Sequence, residues 1–534
     1  MKTVLTLIAL LSFTIPAWSQ LSKKPSVKIL FLPLDDRPPC LQFTQKMGLI
    51  GDVNVVAPPT ALLGKFTVPG QSDSIISWLL QQDLTSFDAA IISIDMLVYG
   101  GLVASRTFSI DQAKALQRIE VINEIHKKAP ALRLYVQSVI MRLAPTADGK
   151  NEAFREDLSK WAEVSAMADD PSKTETQALV NKIPAEALTN YKNARLRNLQ
   201  INLKTIDYVR SGVIDFLILS QDDAKPVGVH VQDRLQLIEE SNKLKLSAKI
   251  AVQPGADEVS MLLLARALNK YYKLSPKIKA IYSSGKVSNT VMPFEDKTLK
   301  ETVSFHIHAT GSTEVQDENK ADLLFYIFAT RKEPGSAIRF AAEIENNIKK
   351  GKRVIIADID PVGDVQGGDS AFTTELENRK LLPELNGYAS WNTAANTIGT
   401  TLPQGIIFDI AEVKLLNNQP VANRILTAQN WFTFHRVIDD YYFHGSVRSK
   451  TNIYFNQHKM SSKILDENAN KDLENYAGQL LLKSFDHLNK VYAQRIATSR
   501  QKNFNCTSTA MTFKLPWKRT FEAEIGFAMK CEHH

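Results

Sequence analysis

Carboxylates recur at the ends of apolar runs in this chain, and their placement is the first functional signal. Val27–Leu34 runs into Asp35-Asp36-Arg37-Pro38. Ala89–Ile94 runs into Asp95, then Tyr99-Gly100-Gly101 and Ser105-Arg106. Leu132–Ile140 is followed by Arg142, and Ile214–Ser220 ends in Gln221-Asp222-Asp223. Lys249–Val252 ends in Gln253-Pro254-Gly255-Ala256-Asp257-Glu258, Arg353–Ile359 in Asp360, and Tyr388–Ser390 in Trp391-Asn392-Thr393 with Asn396. Each cluster alone has a plain structural explanation. Asp-Asp before Arg-Pro caps a helix, Asp257-Glu258 complements a helix N-terminus, Gly100-Gly101 makes a turn, and Trp391 packs in a core. Gathering so many carboxylates costs repulsion unless a metal, an arginine or shifted pKa values compensate. Their repetition therefore points to one acidic cleft.

Paired carboxylates suit glycoside hydrolysis, one serving as acid and the other as base or nucleophile. Asp222 and Asp223 are the first candidates, with Asp257 or Glu258, ending the next run, as partner. Adjacent residues of an extended chain usually point to opposite sides, so only one of Asp222 and Asp223 need be catalytic. Asp35, Asp36, Arg37, Asp95, Tyr99, Arg106, Gln221 and Asn392 suit the hydroxyls of a carbohydrate, and Trp391 offers a face for a sugar ring. No cofactor is required by this chemistry. The alternative is a phosphate- or sulfate-ester hydrolase holding magnesium or calcium on Asp35, Asp36, Asp222, Asp223, Asp358 and Asp360. A third reading is a carbohydrate-binding protein without turnover. Zinc fits less well: HExxH is missing, and His306-Ile307-His308 reads as strand packing. There is no GxGxxG after a strand, no GxxxxGK[ST] and no GxSxG, which disfavours dinucleotide redox chemistry, P-loop transfer and the usual serine hydrolases.

The elements that must position these groups follow from the runs. Those above, together with Val53–Val56, Ile278–Tyr282, Val303–Ala309 and Leu323–Phe328, make eleven. Amphipathic stretches such as Gln112–His126, Val231–Leu244 and Ala337–Lys349 separate them. Continuous apolar strands alternating with helices mean an α/β protein with parallel sheets. Two doubly wound subdomains with a break near 285–302 fit the short strand–helix–strand rhythm; a (β/α)8 barrel plus a smaller α/β domain is the alternative. The expected organisation is an N-terminal α/β domain over 20–300, with a helical insertion at 145–212, a second α/β segment over 301–410, and a mainly helical region over 411–534. In the last, Leu473, Ala477, Leu481, Phe485 and Leu488 repeat at helical spacing, and Phe521, Ala523, Ile525 and Phe527 alternate with Glu522 and Glu524 as a terminal strand.

Residues 1–19 have the pattern of a signal peptide: Lys2, an apolar stretch from Thr3 to Phe13, and Ala17-Trp18-Ser19 before the cut. This predicts a periplasmic or secreted protein without a membrane span. The 534 residues are 44% hydrophobic and 23% charged, a globular composition that excludes wholesale disorder. The net charge of +7 is spread without a basic run, so nucleic acid is not the expected partner; a small molecule or glycan is. Of three cysteines, Cys506 and Cys531 flank the last segment and are placed to bridge, leaving Cys40 as a buried small residue.

Five ordered motifs also carry a resemblance. Leu34-Asp35-Asp36-Arg37-Pro38, Asp95 through Leu102 with Ser105-Arg106, Gln221-Asp222-Asp223, Pro254 through Glu258, and Trp391 through Thr397 resemble the bacterial family known as domain of unknown function 4127. The resemblance covers nearly the whole chain after the signal peptide. It implies that these motifs belong together and names no substrate.

Overall fold

The computed structural model describes residues 27–457, 466–494 and 504–533, so the expected signal peptide lies outside the described residues. Six parallel strands form the first sheet: β1 (Val27–Leu32), β2 (Val53–Val56), β3 (Ala89–Ser93), β4 (Arg133–Ile140), β5 (Phe216–Gln221) and β6 (Ile250–Pro254). Their order is β2-β1-β3-β4-β5-β6. Five more build the second: β7 (Lys277–Tyr282), β8 (Thr313–Glu314), β9 (Leu323–Phe328), β10 (Arg353–Asp358) and β11 (Gly387–Ala389), in the order β11-β10-β9-β7-β8. Each sheet starts in its interior, winds one way, then reverses. Both are open doubly wound sheets, and the closed barrel is not formed.

Helices cover both faces, which explains the unbroken apolar runs: all six residues of β9 are buried. Sheet membership changes between β6 and β7, earlier than the 285–302 break expected from spacing. Helix Val259–Tyr272 makes that crossover and packs along helix Ala394–Lys414. Phe31 and Ile218 of the first sheet and Ile327 and Ile355 of the second share one core with Leu262, Leu268, Ile398 and Leu402 of these helices. Residues Ala394–Ala411 are buried all round, as a helix between two sheets requires.

One expected strand is a helix. Leu299–Ala309 begins with a capping box in which Thr298 and Glu301 exchange side-chain-to-backbone hydrogen bonds, and the box fixes a helical start before the apolar run. His306 and His308 therefore sit on a helix, not on a strand.

The insertion after β4 contributes helices Arg155–Val164, Asp170–Val180 and Ala185–Arg210. After helix Ala394–Lys414 the chain is mainly helical, and Leu473, Ala477, Leu481, Phe485 and Leu488 form the buried face of helix Glu467–Tyr492. Strands β12 (Phe504–Lys514) and β13 (Glu524–His533) close the chain as an antiparallel hairpin. Cys506 and Cys531 stand opposite each other in its register and are disulfide-bonded, while Cys40 is free and buried. No described helix is long and apolar enough to cross a membrane.

Candidate functional site

The carboxyl ends of both sheets face one cavity of about 290 Å³, near the lower size limit of ligand pockets. Its wall is drawn from the segments that follow β1 (Arg37), β5 (Asp222, Asp223), β6 (Gly255, Ala256, Asp257) and β11 (Asn392, Thr393, Asn396). Arg106, Arg142, Thr146 and Arg155 add the loops around the insertion, and Phe294 and Glu295 the loop after β7. Trp517, Arg519 and Phe521, from the tip of the hairpin, complete it, with Phe66 packed against Trp517 and Arg519.

Arg37 is the hub. Its Nη1 and Nη2 donate to Asp257 Oδ2 and Oδ1 at 3.0 and 2.6 Å, and its Nε and Nη2 to Asp35. Nη1 also reaches Glu522 Oε1 at 3.3 Å, and the guanidinium lies 4.5 Å from the Trp517 ring centre. One buried guanidinium thus joins the end of β1, the end of β6 and the C-terminal hairpin. Arg106 Nη2 donates to Asp222 Oδ2 at 2.5 Å and its Nη1 to Thr146 Oγ1 at 2.7 Å. Arg142 pairs with Asp223. Alternation along β5 would send Asp222 and Asp223 to opposite sides. Both line the cavity, because Asp223 takes a left-handed backbone (φ 36°) that turns the chain as it leaves the strand. Phe66 (φ 49°), Phe294 (φ 65°), Gln366 (φ 55°) and Asn392 (φ 55°) are left-handed too, so five strained non-glycine residues line one cavity.

The carboxyls fall into two electrostatic settings. Burial pushes Asp222 up, but Arg106 and Arg142 more than offset it and hold it below the usual range. Burial raises Asp257 to about 7 despite its chelation by Arg37, with Asp35 adding repulsion. Glu295 rises to about 8, again through burial, with Glu258 and Asp223 adding like charge. Its Oε1 accepts the Ala395 N–H at 2.9 Å, and its Oε2 is buried without a hydrogen-bond partner.

The other residues singled out in the sequence stand behind this wall. Asp35 backs Arg37, and Asp36 accepts the Trp517 indole N–H at 2.7 Å. Asp95 accepts the Val139 N–H at 2.9 Å, deep beside β4. Tyr99 lies under the Arg197 guanidinium, 4.3 Å from it, and Gln221 is buried, donating to Ile140 O. Trp391 is in the core, donating from its indole to Thr400 Oγ1 and meeting Phe43 edge-on. Glu258 is wholly buried: its Oε2 accepts Asn396 Nδ2 at 2.6 Å and the Ala256 N–H at 3.1 Å, while His306 Nε2 stands 3.5 Å from Oε1. It orients Asn396 and does not itself line the cavity. Gly100 (φ 90°) does more than turn: a Cβ there would meet the Gly70 backbone at 2.7 Å.

Space for Glu258 is made by Gly399, where a Cβ would lie 2.1 Å from Glu258 Cγ. Gly399→Ala must displace a side chain held by two hydrogen bonds. Overpacking of this kind costs about 1–3 kcal/mol, so thermal denaturation should show a lower midpoint.

Missed in the sequence were Glu295, Arg155, Gln366, Phe66, Trp517, Arg519, Phe521 and the buried Glu522. Glu522 was expected within the terminal strand, alternating with its apolar residues, but it precedes β13, in the connection, and pairs with Arg37 and Arg519. The cleft is correspondingly not simply acidic: Arg37, Arg106, Arg142, Arg155 and Arg519 share the wall with Asp222, Asp223, Asp257 and Glu295. Among the described residues no three of His, Cys, Asp and Glu are grouped as metal ligands.

Fold and site together define an α/β protein with one polar, arginine-and-carboxylate pocket at the convergent ends of two doubly wound sheets. The chain belongs to the family described as Protein of unknown function (DUF4127), whose family model matches residues 29–526. Comparison with curated proteins gives no match, and neither does comparison with solved structures.

Proposed function

We propose that the protein is an exported, glycoside-hydrolase-like enzyme acting on a carbohydrate. One observation carries this reading: two kinds of carboxyl face the same cavity. Glu295 is buried, keeps its proton into the neutral range and has an oxygen without a partner, which suits a general acid. Asp223 is the more open one, its side chain 41% exposed beside Arg142, which suits a base or nucleophile. Asp222, held ionised by Arg106 and Arg142, fixes Arg106 and adds negative charge near a developing oxocarbenium ion. Asp257 is chelated by Arg37 on both oxygens and serves the frame of the site. Thr393, Asn392, Asn396 and Gln366 offer amide and hydroxyl groups for sugar hydroxyls. Export accords with the Cys506–Cys531 bridge, a pairing suited to an oxidising compartment.

The ester-hydrolase reading asks the same carboxylates to hold a divalent cation. Asp35, Asp222, Asp223 and Asp257 are instead taken up by guanidinium groups. The test is the purified protein against a panel of aryl glycosides and glycans, with and without EDTA. Cleavage that survives chelation and is lost in Asp223→Asn is expected. Activity restored only by added magnesium or calcium would overturn the proposal, and so would ligand binding with no turnover across the panel.

A further inference from the structure

The charges on the insertion side of the cavity do not balance within the protein. Arg106, Arg142 and Arg155 line this wall against two carboxylates, Asp222 and Asp223. Arg106 and Arg142 are matched one to one with them. Arg155, half-buried, makes no ion pair or side-chain hydrogen bond among the described residues. Moreover, it is the first residue of helix Arg155–Val164, where the positive end of the helix dipole disfavours a cation. The fold gains nothing from a guanidinium in that place. Beside it, Arg106 is fixed on the same wall, its side chain 7% exposed and its Nη atoms held by Asp222 and Thr146.

We infer that this wall receives an oxyanion, and that the substrate is an acidic saccharide bearing a carboxylate, sulfate or phosphate group. The inference rests on the proposed glycoside-hydrolase reading for the word saccharide and on the guanidinium geometry for the word acidic. Arg155 would pair with the anion as a planar fork, with the Arg106 and Arg142 guanidinium groups beside it on the same wall. Asp222 and Asp223 would prevent closer approach of the charge to the reacting carbon, since both already hold their arginines. The result is a pocket that selects for charge at one end of a sugar and performs its carboxylate chemistry at the other.

Isothermal titration of the purified protein tests this with D-glucuronate, glucose 6-sulfate and glucose 6-phosphate, each against neutral D-glucose. At least one charged sugar is expected to bind about tenfold or more tightly than glucose, with the preference weakening in high salt. Arg155→Gln should remove the preference, and Arg155→Lys should keep part of it, both with unchanged thermal melting. Which charged sugar prefers the site names the anion. Equal affinity for glucose, a preference that survives Arg155→Gln, or no binding of any charged sugar overturns the inference. The two proposals fail separately. Arg155-dependent binding of a charged sugar without turnover of any glycoside sinks the hydrolase alone. Turnover of neutral glycosides without an anion preference sinks the acidic-substrate inference alone.

Discussion

Glu295→Gln should lower kcat by roughly 10²- to 10⁴-fold, the usual contribution of a positioned general acid. The reason lies in its surroundings. The carboxyl is buried, only its Oε1 is hydrogen-bonded, and its pKa is pushed to about 8, so it carries a proton at neutral pH. An acid must be protonated to act. The wild-type rate should therefore fall as pH rises through about 8, and this limb should be absent from the residual activity of the variant. Stability gives a second readout of opposite sign. A carboxyl whose pKa is higher folded than unfolded binds more protons in the folded state between those values, so its contribution weakens as pH rises from the ordinary glutamate range toward 8. Gln cannot ionise. The variant should melt no lower than wild type at pH 7 and higher than wild type at pH 9. A variant that keeps full activity, or that loses activity only because it unfolds, would remove Glu295 from the mechanism.

The fold was legible because burial on both sheet faces leaves a simple mark. Strands such as Leu323–Phe328 are apolar throughout and need no partner information to be recognised. The exception, Val303–Ala309, alternates Val303, Phe305, Ile307 and Ala309 with Ser304, His306 and His308 as a half-buried strand would, and only the Thr298–Glu301 cap ahead of it separates helix from strand. Strand ends were legible for the same reason, since a parallel sheet collects its functional groups at one edge. That logic placed Arg37, Arg106, Asp222, Asp223, Asp257 and Asn392 on a common cavity. What it lacked was depth. Asp35, Asp95 and Trp391 have the same sequence context as the lining residues, yet a register difference of one or two positions puts them behind the wall. Charge sign was misjudged for a related reason: each strand-end aspartate was visible, but its arginine often came from a different loop. Glu295 lies in an irregular loop without a motif, and Trp517, Arg519 and Glu522 come from a hairpin nearly five hundred positions from Arg37. No local pattern links residues so far apart; only the closed tertiary structure does.

Arg37→Met is expected to be the most destabilising single change at the site. The side chain is about as long and as apolar along its stem, but it leaves Asp35, Asp257 and Glu522 buried and facing one another. Removing one partner from a buried ion pair typically costs about 3–5 kcal/mol, because the charge that remains has neither water nor a counter-ion. Three carboxylates share this guanidinium, although Arg519 still serves Glu522. The sign of the pH effect follows. Asp257 is already raised to about 7 by burial, and without Arg37 it loses the guanidinium that holds it down, so the folded state keeps a proton that the unfolded chain has released. The destabilisation should therefore be largest at pH 8 and shrink toward pH 5, where protonation relieves the repulsion. Arg37→Lys should recover part of the loss but not all, since a single ammonium cannot chelate Asp257 on both oxygens while holding Asp35 and Glu522. The hub also ties the hairpin tip to the sheet edge through Glu522 and Trp517. Amide hydrogen exchange over residues 515–523 should accelerate in Arg37→Met before the sheet cores respond, because the strands themselves lose no contact. Denaturant unfolding across pH 5–8 checks the energy, and exchange checks the route. If the variant loses less than about 1 kcal/mol at pH 8, or if exchange rises first in β1 and β6, Arg37 is not the element that joins the hairpin to the site.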